Sequence, residues 1–338
     1  MPYADHPNVI VHGLESPWGR LSPLATHQTG LPLFKAARIQ EILRMGFDVI
    51  HYHNISLFGP KVLTYGQGIK LYTFHEYWLV CPTHVLFRFN RAPCTRPHCF
   101  ACSLTYKRPP QWWRHSGLLP AALKQVHAFL APSRFCQDLH HQMGLDIPIV
   151  HLPNFVPAAE SAVLPSSPHA EDMPEPLYFL SVGRLEKLKG LQTLIPLFRR
   201  YRKAQLWIAG TGSHEPQLRQ LAAGDTNIRF LGYKTAGDLH GLYRQAVAVL
   251  VPSLCLEIFP LVILEAFRQR TPVVVRNLGG MPEILAESGG ASRTIPSRNS
   301  SQRWIPWWQT RHTARSWGGG GIRRINSTGR LTCTSNAI

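Results

Sequence analysis

Apolar runs and amphipathic stretches alternate through the middle of this chain with a regular rhythm. LYFLSV (Leu177–Val182), QLWIAG (Gln205–Gly210), NIRFLG (Asn227–Gly232), VAVLVP (Val247–Pro252) and TPVVV (Thr271–Val275) are short and apolar almost throughout. Runs of that kind fit strands buried on both faces of a sheet. Between them lie Leu191–Tyr201, Glu215–Ala222, Asp238–Gln245 and Leu261–Arg268, whose apolar positions follow a helical period. Strands and helices in alternation mean βαβ units and a parallel sheet, so a Rossmann-type domain is predicted over 177–290.

The first half repeats the theme more loosely. VIVHG (Val9–Gly13), DVIHYH, IKLYTFH, HAFLAPS and PIVHLPN read as five strands ending near His12, His53, His75, Ser133 and Asn154. Helices are expected at Leu33–Met45 and Ser133–Met143. Residues 158–176 are rich in Pro, Ser and Ala, the composition of a linker. The expected architecture is therefore α/β, with an incomplete Rossmann-like domain over 1–157 and a second over 177–290. Two such domains would hold a ligand in the cleft between them, at the carboxyl ends of the strands.

Composition refines this picture. The chain has 338 residues and a net charge of +17, but from Ser292 onward there are eight Arg and no Lys, Asp or Glu. Without that tail, 28 basic and 19 acidic residues remain. A basic face suits nucleotide phosphates, acidic glycans or anionic lipid heads, and a solvated helix face is the plainer reading. No zinc-finger, RNA-recognition or helix-turn-helix pattern supports a nucleic-acid partner. No run approaches the ~20 apolar residues of a membrane span. The opening MPYADHPNV shows no basic start followed by an apolar run. A cytoplasmic protein is expected, with peripheral contact on the inner membrane face left open by the basic charge, although no amphipathic anchor stands out. Four of the seven cysteines, Cys81, Cys94, Cys99 and Cys102, share one short stretch beside His84 and His98. C-x-x-C at Cys99 and Cys102 suits a corner of a structural zinc site; partly buried free thiols are the alternative.

The candidate chemistry follows the strands. Glu257 precedes the segment Leu261–Arg268 and Glu265 lies one turn inside it. Pro260 is suited to the first helical position, leaving the amides of Leu261 and Val262 free at a helix start, which carries partial positive charge and binds phosphate. GRLEKLKG (Gly183–Gly190) sets Arg184 and Lys189 at another strand-to-helix turn, where two cations suit a diphosphate. The next strand ends in Gly210-Thr211-Gly212, and a later turn holds Gly279, Gly280 and Glu283.

This ordered set resembles the family-four retaining glycosyltransferases of the GT-B fold (group 1): GRL-x-x-x-KG, AGTG, FLG, PS-x-x-x-E, the paired Glu257 and Glu265, TPVV and GG-x-PE. TFHEYWLVCP, APSRFCQDL and PIVHLPNFV resemble segments of the family's first domain. The resemblance implies a nucleotide-sugar donor (a UDP- or GDP-sugar), a glycan or lipid-linked acceptor, retention of configuration, and a role in polysaccharide assembly. It implies that Arg184 and Lys189 neutralise the diphosphate, that Glu257 and His75 contact the sugar, and that Glu265 holds the ribose. Gly183, Gly212, Phe259, Leu261 and Val262 would complete the donor site, and the backbone at Gly232–Lys234 would face the base. No Asp-x-Asp occurs in the chain, so no metal is expected at the diphosphate and no cofactor is expected. Ile258, Pro260 and Arg268–Arg270 depart from the family pattern.

Both ends are unusual against that pattern. The family's first strand, Gly-rich turn and helix have no counterpart before Asn8–Gly13, so a truncated start is expected. After Gly290 the rhythm stops. A shifted reading frame, in which the single Trp codon forces Asp at Trp304-Ile305 and Val at Trp307-Trp308, permits an amphipathic string like the family's last helices. An out-of-frame, disordered tail is expected over 291–338. The rival readings are an inactive remnant that at most binds nucleotide sugar, a basic nucleic-acid-binding protein, and a non-hydrolysing sugar-nucleotide epimerase.

Overall fold

The computed structural model describes residues 8–15, 18, 21–157, 176–288, 292–295, 324–325 and 331–332. It is α/β, with two compact units. The first comprises Met1–Val85, Pro97–Pro132 and Leu139–Leu152; the second comprises Leu86–Arg96, Ser133–Asp138 and Pro153–Ile338. The division differs from the sequence boundaries, because two short internal segments join the second unit. The expected linker and most of the expected tail lie outside the described residues.

In the first unit, β1 (Val49–Tyr52), β2 (Ile69–Thr73), β3 (Ala128–Ala131) and β4 (Ile149–His151) form one parallel sheet in the order β1-β2-β3-β4. Each strand is laid beside the last in the same direction. Right-handed crossovers then place every connection on one face. The burial agrees: Ile50, Tyr72, Phe129 and Ile149 share a face and are buried, while Val49, Ile69 and Val150 on the other are 50%, 54% and 55% exposed. The helices of this unit are α1 (Leu21–Thr29), α2 (Ala36–Leu43), α3 (Cys99–Thr105) and α4 (Leu118–Leu123); α5 (Arg134–Gln142) starts in the second unit and ends in the first. The expected fifth strand at Val9–Gly13 does not form. The segment joins no sheet and Ile10 is 79% exposed, so its apolar run gains neither a ladder partner nor burial.

In the second unit, β5 (Tyr178–Val182), β6 (Gln205–Ala209), β7 (Ile228–Gly232), β8 (Val249–Val251), β9 (Val273–Arg276) and β10 (Ser292–Ile295) form a parallel sheet ordered β10-β9-β8-β5-β6-β7. That is the doubly wound Rossmann order. Its helices are α6 (Ile195–Phe198), α7 (Glu215–Ala222), α8 (Ala236–Arg244), α9 (Leu261–Arg268) and α10 (Met281–Ser288). Two cores result. Phe179, Leu206, Leu250 and Val274 pack with Phe198 of α6 and Leu218 of α7. Tyr178, Leu180, Val249 and Val273 pack with Tyr243 of α8, Ile263 of α9 and Ile284 of α10. Successive residues of one strand feed opposite cores, which is why the runs are apolar throughout.

Local chemistry explains the ends of several elements. Thr235 and Asp238 form a capping box at the start of α8. The segment Leu191–Tyr201 yields only the single turn of α6 after a tighter turn at Leu191–Thr193, since Pro196 occupies the start of the helix. β10 falls within the expected tail and extends the sheet beside β9.

Candidate functional site

In the second unit the chain reverses direction across the sheet between β5 and β8, which lie side by side. At such a switch point the loops leaving the two strands part to opposite faces and open a crevice at the carboxyl ends. The β5 loop carries Gly183–Gly190 and the β8 loop carries Pro252–Pro260.

Backbone packing locks the two loops together. The Leu254 amide donates to the Leu188 carbonyl at 2.8 Å. Gly190 ends the turn Lys187–Lys189 at φ 78°, and a Cβ there would overlap the Pro252 carbonyl oxygen. Only glycine satisfies both the dihedral and the space. The turn places Lys189 Nζ 2.7 Å from Glu257 Oε1. Ser253 Oγ donates to the same oxygen at 2.6 Å, and the Cys255 thiol approaches it at 3.6 Å. Glu257 Oε2 accepts nothing from the protein among the described residues, so one carboxylate oxygen is saturated and the other is open.

The charges follow this geometry. Burial alone would raise the Glu257 carboxyl, but the Lys189 ammonium and the donors on Oε1 outweigh it and hold it below its usual value. Burial alone would lower Lys189, and the Glu257 charge instead holds it above its usual value. Both are ionised at neutral pH. Arg184 stands in the same loop, exposed, 3.5 Å from Glu186, and its charge opposes that of Lys189. Gly183 is open to solvent, with no atom near the position a Cβ would take.

Behind Glu257, the turn after β9 closes in. The Gly280 amide donates to the Glu257 carbonyl at 2.8 Å. Cβ atoms at Gly279 and Gly280 would strike the Glu257 backbone and the Ile258 carbonyl respectively. Arg276, buried at the end of β9, donates from Nε to the Pro252 carbonyl at 3.2 Å and steadies the loop from below.

α9 begins at Leu261, with Pro260 as its cap at ψ 109°. Pro260 thus sits one position earlier than expected: its extended ψ keeps it outside the helix. The amides of Leu261 and Val262 meet no acceptor in the protein among the described residues, and Leu261 is exposed. Phe259 is partly buried against the core. Glu265 accepts from the Tyr243 hydroxyl at 2.6 Å, and burial and that bond push the phenol pKa up. Gly212 packs on the Leu185 backbone, and Tyr233 beside Gly232 is exposed. The structure therefore brings Lys189 and Glu257 together with Arg184 in the same loop, and gives Glu265 a different partner.

Sequence reasoning missed Tyr243 and the work of Cys255 and Arg276. An arginine directly after the apolar run Val273–Val275 was the available signal for Arg276. It also missed the use of Glu283, whose carboxylate accepts from the amides of Arg134 and Phe135 at 2.7 and 3.0 Å and so closes the start of α5.

His75 lies in the first unit, at the end of β2. Its Nε2 is 2.8 Å from His53 Nδ1, and the rings of His51 and His53 are 4.1 Å apart. Partial burial, then the neighbouring His53 and His51, lower its pKa, so the ring is neutral at neutral pH. The four cysteines of the suggested zinc site form no disulfide. All are free thiols, and among the described residues no three of them bring their sulfurs within reach of one ion. Cys94 Sγ turns to the Arg96 carbonyl and Cys81 Sγ to Thr83 Oγ1, which uses their bonding locally.

Two family models match the chain, one over each half. The model described as Glycosyltransferase Family 4 matches residues 3–160, and that described as Glycosyl transferases group 1 matches residues 168–302. The chain belongs to this glycosyltransferase family. It is 37% identical over 137 residues to a D-inositol 3-phosphate glycosyltransferase of Corynebacterium jeikeium, covering 36% of this chain and 32% of that one. It is 33% identical over 192 residues to a glycogen synthase of Mycobacterium tuberculosis, covering 51% and 45%. The chain thus spans less than half the length of these curated relatives. Among solved structures, sucrose-phosphate synthase of Thermosynechococcus elongatus matches with a TM-score of 0.59 at 20% identity, covering 88% of this chain and 74% of that one. HepE of Anabaena, solved with UDP and glucose, matches at 0.55 and 18% identity, covering 85% and 72%. These likenesses show the GT-B fold.

Proposed function

We propose that the chain is a glycosyltransferase that moves a hexose from a nucleotide-sugar donor to a glycan or lipid-linked acceptor. The observation that carries this reading is the Lys189–Glu257 pair at the β5/β8 switch point, beside Arg184 and close in sequence to the unpartnered amides of Leu261 and Val262. The two cations suit a diphosphate, and the open Oε2 of Glu257 suits a sugar hydroxyl. Glu265, with one oxygen bonded to Tyr243, suits the ribose. HepE, with UDP and glucose bound, supports a UDP-sugar as the first donor to try.

Transfer breaks the bond from the sugar's anomeric carbon to the diphosphate and forms one to the acceptor oxygen, whose proton passes to the leaving phosphate. Negative charge grows on the diphosphate, where Lys189 and Arg184 lower its energy electrostatically. Those cations take the part a divalent metal would otherwise play. Retention, by attack on the face the diphosphate leaves, rests on the family resemblance, as does a sugar contact for His75.

A second reading, a chain that binds donor without transferring, is favoured by the bare apolar face of the first sheet. Thermal-shift screening of nucleotide sugars, followed by a hydrolysis and transfer assay, separates the two. A donor at a hundredfold excess over its Kd stabilises the fold by about 2.7 kcal/mol. A shift with turnover supports transfer; a shift without it supports the second reading; no shift with any donor overturns both.

A further inference from the structure

The first unit holds a cavity of about 670 Å³ away from His75. Its wall is largely apolar, with Leu79, Leu123, Phe129 and Ile147 inside and Phe100 and Trp112 at the edge. Phe100 and Trp112 are also 55% and 61% exposed, and their rings lie 5.9 Å apart. Leu104, one turn along α3 from Phe100, is 53% exposed. Apolar surface therefore runs continuously from solvent into the cavity. A soluble surface seldom shows aromatic and aliphatic side chains so joined unless something covers them.

The charge around this surface is mostly positive. Pro97–Pro132 contains Lys107, Arg108, Arg114 and Lys124, and no Asp or Glu. Lys107, Arg108, Lys124 and His115 are exposed. Arg114 is part-buried on the cavity wall. Its Nη atoms donate to the carbonyls of Leu79 and Trp78 at 3.0 and 2.6 Å, and no carboxylate pairs with it among the described residues. Burial pushes its pKa down to about 10, so it stays charged. Asp146 is the acidic residue on the wall. Exposed Trp, Phe and Leu within a basic surround match the interface of an anionic bilayer, where rings and aliphatic groups enter the headgroup layer and cations meet phosphates.

We propose that α3 and the Trp112–His115 turn dock this chain on an anionic lipid surface, with the cavity behind them accepting one acyl chain. A free polyanion would satisfy the cations but would leave Phe100, Leu104, Trp112 and the cavity uncovered. Docking does not depend on the transferase reading, since it is measured without donor.

Sedimentation of the full chain with phosphatidylcholine vesicles, with and without phosphatidylglycerol, tests it. Binding is expected only with the anionic lipid, and it should weaken with salt. Phe100→Ser with Trp112→Ser should raise the lipid concentration for half-binding by about tenfold, through lost interfacial burial. Lys107→Glu with Arg108→Glu should do the same or more, on the order of tenfold, through lost attraction. The second pair is fully at the surface and keeps the test valid should the aromatic pair misfold. Ile69→Ser, on the bare sheet face, should leave binding unchanged. Equal binding to neutral vesicles, wild-type binding by both pairs of variants, loss of binding in Ile69→Ser, or retention on immobilised heparin without vesicle binding would each overturn the proposal.

Discussion

The two parallel sheets among the described residues are built from similar strands and differ in how they are wound. The first runs β1-β2-β3-β4 in one direction and has a buried and a bare face. The second reverses between β5 and β8 and has a core on each face. The reversal does two things at once. It sends helices to both sides, and it opens the crevice where Lys189 and Glu257 meet. A sheet wound one way gains neither. Covering of the strands and placement of the charged pair are thus two results of one topological event.

Four experiments sharpen or break this contrast. The largest effect is expected in the doubly covered sheet. Leu180→Ala, at a fully buried position of β5, should cost about 2–5 kcal/mol in urea unfolding, since the cavity cannot collapse between two packed layers. Lys189→Met comes next. It leaves the Glu257 carboxylate without its cation in a site only 13% exposed, and a loss of about 2–3 kcal/mol is expected, below that for a fully buried pair. The same variant should show no thermal shift with any nucleotide sugar. If Lys189→Met melts like the parent and still binds donor, the pair is not the site.

Acid should part the two units by smaller steps. His75 and His51 have pKa values lowered from 6.5, so their share of stability is full above 6.5 and is lost as pH falls through the lowered values. Glu257 is lowered from 4.5, so its share persists until pH falls below 4.5. Lys189 is raised from 10.5, so its share is lost as pH rises through the raised value. His214 in the second unit is lowered likewise by burial, so probes in the first unit, which holds both His75 and His51, should lose more stability in mild acid than probes in the second, by amide exchange followed against pH. Equal loss would mean that the histidine cluster contributes nothing. The smallest effect belongs to the bare face. Ile69→Ser should change stability by no more than about 0.5 kcal/mol while reducing binding of an apolar dye. A loss as large as that of Leu180→Ala would show that the face is covered in solution.

The sequence was most readable where this contrast is strongest. Tyr178–Leu180 and Val273–Val275 are apolar at every position because both faces are buried, and each lies in a strand. Leu261–Arg268 matches its helix residue for residue, since Ile263 and Ala266 recur at the period of the buried stripe. Val9–Gly13 has the same local signature and forms no strand, because an apolar run does not say whether a neighbour exists to pair with. α3 and α4, of seven and six residues, are too short to show a period at all. Within the site, Arg184, Lys189 and Glu257 were each legible as residues on strand-end loops. The bond from Lys189 to Glu257 spans 68 positions and depends on which strands lie side by side, which no local pattern encodes. The spacing of Glu257 and Glu265 placed the second on a helix, but its partner Tyr243 comes from α8, outside the motif.

The turn at Gly279 and Gly280 has a practical meaning for redesign. Glu257 is held from behind by main chain rather than by replaceable side chains, because those two residues leave just enough room for its peptide group. Randomising the neighbourhood to change the preferred sugar should therefore yield survivors with varied residues at Leu278, Phe259 and Leu261, yet hydrogen alone in place of a side chain at both glycines. Selectivity can be rewritten around the acid, whereas the cradle beneath it admits a single alphabet letter.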